Sequence, residues 1–163
     1  MSPVICCVFV ALIGAADRLI KQLVLASPLA DGEVVTVISN FLQFRYVENT
    51  GAAFSLFTGK TDLLSVFSAL VLLAGVAVLF SRKIKSKVLL ASIVMLMGGG
   101  LGNLIDRVTL HFVVDYIEVL FIDFPVFNFA DCFVTVGAFI MIGYLIWDIY
   151  CDYKKGKVKN DER

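Results

Sequence analysis

Four long apolar stretches limit the folds open to this chain more than any other feature of its sequence. The first is followed by charged residues after Ala16, whereas the next two each run for 18 residues without a charge. Because roughly 20 residues of apolar helix cross the hydrocarbon core of a bilayer, the stretches predict membrane-spanning helices. We place these helices at about residues 3–26, 63–80, 88–105 and 124–147.

The composition agrees with a membrane protein. Of the 163 residues 60% are hydrophobic and only 17% are charged, whereas a soluble domain has about a quarter of its residues charged. Fourteen basic residues balance 14 acidic residues, which excludes a strongly basic nucleic-acid-binding protein and an acidic disordered chain. We therefore expect one membrane-embedded domain over residues 1–163 and no nucleic-acid partner.

The first apolar stretch has a second interpretation, as a cleavable signal peptide, because its apolar part is only 13 residues long. A signal peptide would have a basic segment before the apolar run and small residues at a cleavage site after it. Here no basic segment precedes the run, and Asp17 and Lys21 follow it. The sequence therefore favours a retained helix.

The distribution of Lys and Arg predicts the orientation in the membrane, because cytoplasmic loops are enriched in basic residues. Residues 81–87 contain four basic residues, and residues 148–163 contain five. The longer connections at 27–62 and 106–126 contain two and one. We expect both termini, including the tail 148–163, to be cytoplasmic.

The two outer connections have the composition of β-strands. Residues 33–47 are rich in β-branched and aromatic residues and predict a strand pair, and residues 112–122 predict another extended segment. The predicted fold class is therefore an α-helical membrane protein, with four transmembrane helices and a small outward-facing β-rich cap.

Six ionisable side chains lie in or near the outer half of the predicted spans. Such residues are costly in a bilayer, so each is a functional candidate. Asp17, for example, lies about 21 Å along its helix from Pro3. The six are Asp17, Lys21, Asp106, Arg107, Asp115 and Asp131.

Two of these groups have structural as well as chemical interpretations. Asp17 and Lys21 are spaced i and i+4, so they either form an ion pair that orients the first helix or take part in the chemistry. Asp106 and Arg107 either form an interfacial charge pair that ends the third helix, or join Asn103 in a hydrogen-bonding scaffold. The nearby glycine cluster at 98–102 would let another helix approach closely.

Asp115 and Asp131 are the strongest candidates for catalysis. Asp115 interrupts an apolar segment, and Asp131 is either a helix N-cap or a second catalytic carboxylate. Two carboxylates in contact hold a single proton, and such a dyad can activate water while polarising a carbonyl. This chemistry suits peptide hydrolysis without a metal or a nucleophilic side chain.

Other catalytic classes lack their residues. The sequence contains a single histidine, His111, and no GxSxG, HExxH or CxxC motif. The four cysteines, at positions 6, 7, 132 and 151, have no spacing typical of structural zinc or of a disulfide framework. We therefore expect no metal and no cofactor.

Five segments in order give the chain a resemblance to a known family. Over essentially its whole length it resembles signal peptidase II, the bacterial lipoprotein signal peptidase. The segments are DRLIK (17–21), ENTGAAFS (48–55), GGGLGNLIDR (98–107), VVDYI (113–117) and FNFAD (127–131).

The resemblance implies a membrane aspartic endopeptidase that removes the signal peptide from diacylglyceryl-modified prolipoproteins, cleaving before the lipidated cysteine. It implies a monomer surrounded by membrane lipids, with its active site towards the outer face. The family's catalytic aspartates match Asp115 and Asp131. Its supporting or substrate-binding polar residues match Asp17, Lys21, Asn49, Asn103, Asp106, Arg107 and Asn128.

Two positions depart from the family pattern. Arg18 stands where Gln is usual, and Cys132 stands where a small hydroxyl residue is expected. The residues 49–53 read locally as a turn, and the resemblance makes them a substrate-facing segment.

Two alternatives come from other functional classes. A small proton-coupled transporter would also contain intramembrane carboxylates, but it needs charges along a path between the two faces. The cytoplasmic halves of the predicted helices lack acidic residues. A non-catalytic assembly subunit would use the glycine cluster as a packing face and would tolerate Asp131→Asn.

Overall fold

The computed structural model describes residues 2–51 and 56–161, the last seven of these as backbone only. It confirms the predicted fold class, with four helices long and apolar enough to span a membrane and one small antiparallel sheet. The helices are α1 (Pro3–Leu25), α2 (Thr61–Phe80), α3 (Lys87–Leu110) and α4 (Phe129–Asp161), and a 3-10 turn spans Pro28–Asp31. The strands are β1 (Val34–Ile38), β2 (Leu42–Asn49) and β3 (Val113–Val119).

Helix α3 is longer at its C-terminal end than the predicted span of 88–105. Its first turn is capped by the Ser86 side chain, which accepts a hydrogen bond from the Leu89 N–H, and it ends at Leu110. His111 follows in the left-handed region at φ +65° and closes the helix through a hydrogen bond to the Arg107 carbonyl. Asp106 and Arg107 therefore lie inside α3, and the interpretation that they end the helix is wrong.

Both ends of α4 differ from the prediction of 124–147. The helix begins at Phe129, because residues 124–128 run extended and Phe127 pairs with Ile117 of β3 through two backbone hydrogen bonds of 2.8 and 3.0 Å. It continues to Asp161, so most of the predicted tail 148–163 is helical. Lys is a good helix former, and propagation from an established helix needs no new nucleus.

The sheet has the strand order β1-β2-β3, so β2 is its central strand. The predicted segment 33–47 does form a strand pair, but β2 continues to Asn49. In the β2–β3 pairing Asn49 lies opposite Val113, and Val47 lies opposite Asp115. The register therefore brings the Asn49 side chain next to that of Asp115.

Apolar contacts fix the sheet against the ends of the helices. Val114 and Tyr116 of β3 are buried in a cluster with Val24 of α1 and Leu29 of the 3-10 turn. A second cluster fills the opposite end of the bundle, where α1, α2 and α3 meet. The polar residues between these clusters, which include Asp17 and Asp131, are thus held by apolar packing on both sides.

Helix α3 packs against each of the other three helices, and its glycines permit the closest approaches. A Cβ atom at Gly99 would overlap the carbonyl oxygen of Ala130 in α4, and one at Gly102 would overlap the Asp17 carboxylate in α1. The missing side chains let α1 and α4 approach α3 at the level of Asp17 and Asp131.

The glycine pair 99 and 100 offers a matched test of this packing. Gly99→Ala forces α4 away from α3, and we expect it to destabilise the protein by about 1–3 kcal/mol, as overpacking does. Gly100→Ala meets only Leu72 Cδ2 at an ordinary 3.8 Å, so it should be neutral or stabilising by up to about 1 kcal/mol. Thermal unfolding in one detergent measures both, and equal stabilities would contradict the account.

Candidate active site

The Asp115 carboxylate is held at both oxygens by amide groups. Asp115 is 2% exposed. Its Oδ2 accepts a hydrogen bond of 2.9 Å from Asn49 Nδ2, and its Oδ1 accepts one of 2.6 Å from Asn128 Nδ2. Asn49 is itself fixed, because its Oδ1 accepts the Gly51 N–H at 2.9 Å. The orientation of the carboxylate is therefore set by two neighbouring elements of the chain.

Asp131 is the third residue of α4, and the N-cap interpretation of it is wrong. The cap is Asn128, whose Oδ1 accepts the Asp131 N–H at 3.0 Å, while Asp131 Oδ2 accepts the Asn128 N–H at 3.1 Å. This reciprocal pair is a capping box. The remaining oxygen, Oδ1, accepts a hydrogen bond of 2.7 Å from Asn103 Nδ2.

Asn128 joins the two aspartates, because its side chain binds Asp115 and its backbone binds Asp131. Burial and, second, the negative charge of Asp131 raise the pKa of Asp115 from its usual 3.8 to about 7. Asp115 is therefore partly protonated near neutral pH, as expected when two carboxylates share a site.

A fully buried ammonium group lies behind the aspartates. Lys21 Nζ forms ion pairs with Asp17 Oδ2 at 2.8 Å and with Asp106 Oδ2 at 2.9 Å, and it donates a hydrogen bond to Asn103 Oδ1 at 2.9 Å. The predicted i, i+4 pair thus forms, but within a larger cluster. Buried charges are tolerated only when they are paired and hydrogen-bonded in this way.

The two carboxylates of this cluster also hold the backbone beside each candidate catalytic aspartate. Asp17 Oδ1 accepts the N–H of Ala130 at 3.0 Å, and Asp106 Oδ2 accepts the N–H of Val114 at 3.1 Å. Ala130 directly precedes Asp131, and Val114 directly precedes Asp115. Lys21 therefore links both candidate catalytic positions through two carboxylates.

The two departures from the family pattern lie in different places. Arg18 Nη1 pairs with Asp106 Oδ1 at 3.1 Å, and its side chain is 27% exposed. It therefore adds a second cation to the buried cluster of Asp17, Lys21 and Asp106. Cys132 lines the cavity beside Asp131, and its thiol approaches the Asn128 carbonyl at 3.5 Å.

A cavity of about 780 Å³ opens in front of the aspartates. Asp115, Asp131, Asn103 and Arg107 line it together. Arg107 Nη2 donates to the Gly51 carbonyl at 3.1 Å, while its buried Nε has no hydrogen-bond partner among the described residues. The cavity thus combines two carboxylates with a guanidinium group, which suits binding of a peptide carbonyl.

The substrate-facing segment predicted at 49–53 is described only to Gly51, and Ala52 and Ala53 lie outside the described residues. Asn49, Thr50 and Gly51 do line the cavity. The Thr50 carbonyl accepts a hydrogen bond of 3.1 Å from Thr61 Oγ1 at the start of α2. No pattern in the sequence indicated this contact.

Comparisons with known proteins agree on one family. The family model described as signal peptidase (SPase) II matches residues 9–147, a range that contains every candidate site residue. The lipoprotein signal peptidase of Clostridium acetobutylicum is 39% identical over 145 residues, covering 87% of this chain and 92% of that protein. That of Streptococcus thermophilus is 36% identical over 137 residues, covering 84% and 88%. A solved structure described as a bacterial membrane enzyme matches with a TM-score of 0.81 at 29% identity over 88% of each chain.

Substitutions in the charged cluster test its positioning role. Lys21→Met leaves the buried Asp17 and Asp106 without their common cation, and we expect it to lower the free energy of unfolding by about 3–5 kcal/mol. Arg18→Gln removes a partly exposed cation from the same Asp106 and should cost less than about 1 kcal/mol. Unfolding of the purified proteins in one detergent gives both values. A Lys21 variant as stable as the Arg18 variant would show that the cluster does not hold the fold.

Proposed function

The chain belongs to the signal peptidase II family of membrane aspartic endopeptidases, and we propose that it cleaves diacylglyceryl-modified prolipoproteins with Asp115 and Asp131 as its catalytic pair. Its four spanning helices and its family identify it as a multi-pass protein of the bacterial inner membrane. The observation that carries the proposal is that both carboxylates line one cavity and share Asn128, while the charge of Asp131 raises the pKa of Asp115.

The pair holds one proton in the active state. Its ionised member takes a proton from a water molecule, and the resulting hydroxide adds to the scissile carbonyl carbon. The protonated member gives its proton to the carbonyl oxygen. When the tetrahedral intermediate collapses, the C–N bond breaks and the amine of the lipidated cysteine leaves with the proton taken from water. One hydroxyl of the intermediate at the same time returns its proton to the other aspartate, which restores the pair with one proton. The two aspartates titrate as one unit.

The amide and guanidinium groups around the pair have separate roles. Asn49, Asn103 and Asn128 orient the carboxylates, as their hydrogen bonds indicate. The Arg107 guanidinium, which lines the cavity, donates to a carbonyl of the substrate backbone near the scissile bond. Fixed donors in a site shielded from water hold developing negative charge without reorganisation.

The proposed orientation places both termini in the cytoplasm and the active site towards the outer face. The basic loop 82–87 lies at the end of the bundle opposite the aspartates, which agrees with the enrichment of Lys and Arg in cytoplasmic loops.

Val134 and Val136 of α4 line the cavity, and Val136 is 46% exposed on the helix surface. Through this apolar wall the lipid tails of the substrate reach the cavity from the bilayer. The monomer contains the whole site.

Substituting either aspartate tests the reaction directly. Asp115→Asn and Asp131→Asn each remove the carboxylate that exchanges the proton, and we expect cleavage of a diacylglyceryl prolipoprotein in detergent to fall by about 10²- to 10⁴-fold. Asp123→Asn removes an exposed carboxylate that does not line the cavity and should leave the rate unchanged. Thermal unfolding confirms that each variant is folded. Wild-type cleavage by either folded dyad variant would refute the mechanism.

The pH dependence tests the shared proton. The pKa of Asp115 is about 7, so the pair loses its one proton above that pH and kcat/KM should fall about tenfold per pH unit. Asn49 donates a hydrogen bond that favours the ionised form and lowers this pKa. Asn49→Ala should therefore move the alkaline limb to higher pH. A profile that stays flat well above neutral pH, or a shift in the opposite direction, would contradict the assignment.

A further inference from the structure

A second cavity lies at the end of the bundle opposite the aspartates. It is a crevice of about 390 Å³ bounded by the first residues of α1 and α3 and the last residues of α2. Its floor is apolar and consists of the buried side chains Cys6, Leu79 and Leu90. This cavity has no part in the proposed proteolysis, because the charged groups of the active site all lie near the other ends of these helices.

The mouth of the crevice is cationic. Arg82 and Lys85 line it with exposed side chains. Among the residues described by the structure, neither has a carboxylate partner within ion-pairing distance. The N-termini of α1 and α3 lie at this end of the bundle together with the C-terminus of α2, whose negative dipole end offsets part of their positive potential. The positive charge of the rim is therefore mainly that of Arg82 and Lys85 themselves.

The combination of an apolar floor and a cationic rim favours a ligand that has both an anionic group and an apolar part. We propose that this crevice binds an anionic phospholipid of the adjacent leaflet, with its phosphodiester headgroup between Arg82 and Lys85 and its glycerol and upper acyl chain on the floor. In the orientation proposed above, this is the cytoplasmic leaflet. Anionic lipids of that leaflet attract juxtamembrane Lys and Arg.

Two other occupants fit less well. The n-region of a substrate signal peptide is basic, so the two cations would repel it. A free phosphate ion would use the rim but would leave the rest of the crevice, about 390 Å³ in all, to water. Binding of the lipid satisfies both parts of the surface at once.

The neighbouring lysines provide a matched control. Arg82→Gln/Lys85→Gln removes the two cations that line the crevice, whereas Lys83→Gln/Lys87→Gln removes two exposed cations from the same segment that do not line it. The experiment is a titration of the full-length protein in neutral detergent, with bound lipid counted by native mass spectrometry. The probes are phosphatidylglycerol, phosphatidylcholine with the same acyl chains, and inorganic phosphate as a competitor.

We expect the wild type to bind phosphatidylglycerol more tightly than phosphatidylcholine. The crevice double variant should bind it about 25-fold more weakly, and each single variant about fivefold more weakly. The control double variant should stay within about threefold of the wild type. Equal weakening of both double variants would reduce the effect to general surface charge and overturn the proposal. Equal binding of the two lipids, or displacement by millimolar inorganic phosphate, would overturn it as well.

Discussion

The ion pairs of the buried Lys21 ammonium are the interactions on which the active-site end of the structure depends. One ammonium group pairs with both Asp17 and Asp106, which come from two different helices. These carboxylates in turn accept the backbone N–H groups of Ala130 and Val114. A single charge therefore connects α1 and α3 with the first turn of α4 and with β3, and it does so at the residues next to Asp131 and Asp115. Removing the ammonium would leave Asp17 without a cation and Asp106 with only the partly exposed Arg18.

This arrangement separates the residues that hold the site from those that face its cavity. Asp17, Lys21 and Asp106 are fully buried behind the site, while Asp115, Asp131 and Arg107 line the cavity. The buried charges thus gather at one end of the bundle. A proton-coupled transporter would need them along a path between the two faces.

The sequence predicts the architecture well, because apolar length and β-branched composition are local signals. The motifs that carry the family resemblance contain the polar residues proposed for the site, but they did not indicate other polar residues that line the cavity, such as Arg45 and Thr135. The start of α4 at Phe129 and the exchange of capping roles between Asn128 and Asp131 depend on pairing with β3. The hydrogen bonds that Asp17 and Asp106 accept from backbone N–H groups depend on how separate elements dock. Neither kind of contact follows from local sequence, because each depends on the position of another element.

The central claim is that Asp115 and Asp131 share one proton, and carboxyl-carbon NMR of protein labelled with [4-¹³C]aspartate tests it most directly. The Asp115 resonance, assigned by its loss in Asp115→Asn, should titrate with a pKa of about 7. In Asp131→Asn the same resonance should titrate at lower pH, because one of the causes of the raised pKa has been removed. Titration of Asp115 near its ordinary pKa of 3.8, or an unchanged midpoint in the Asp131 variant, would contradict the account.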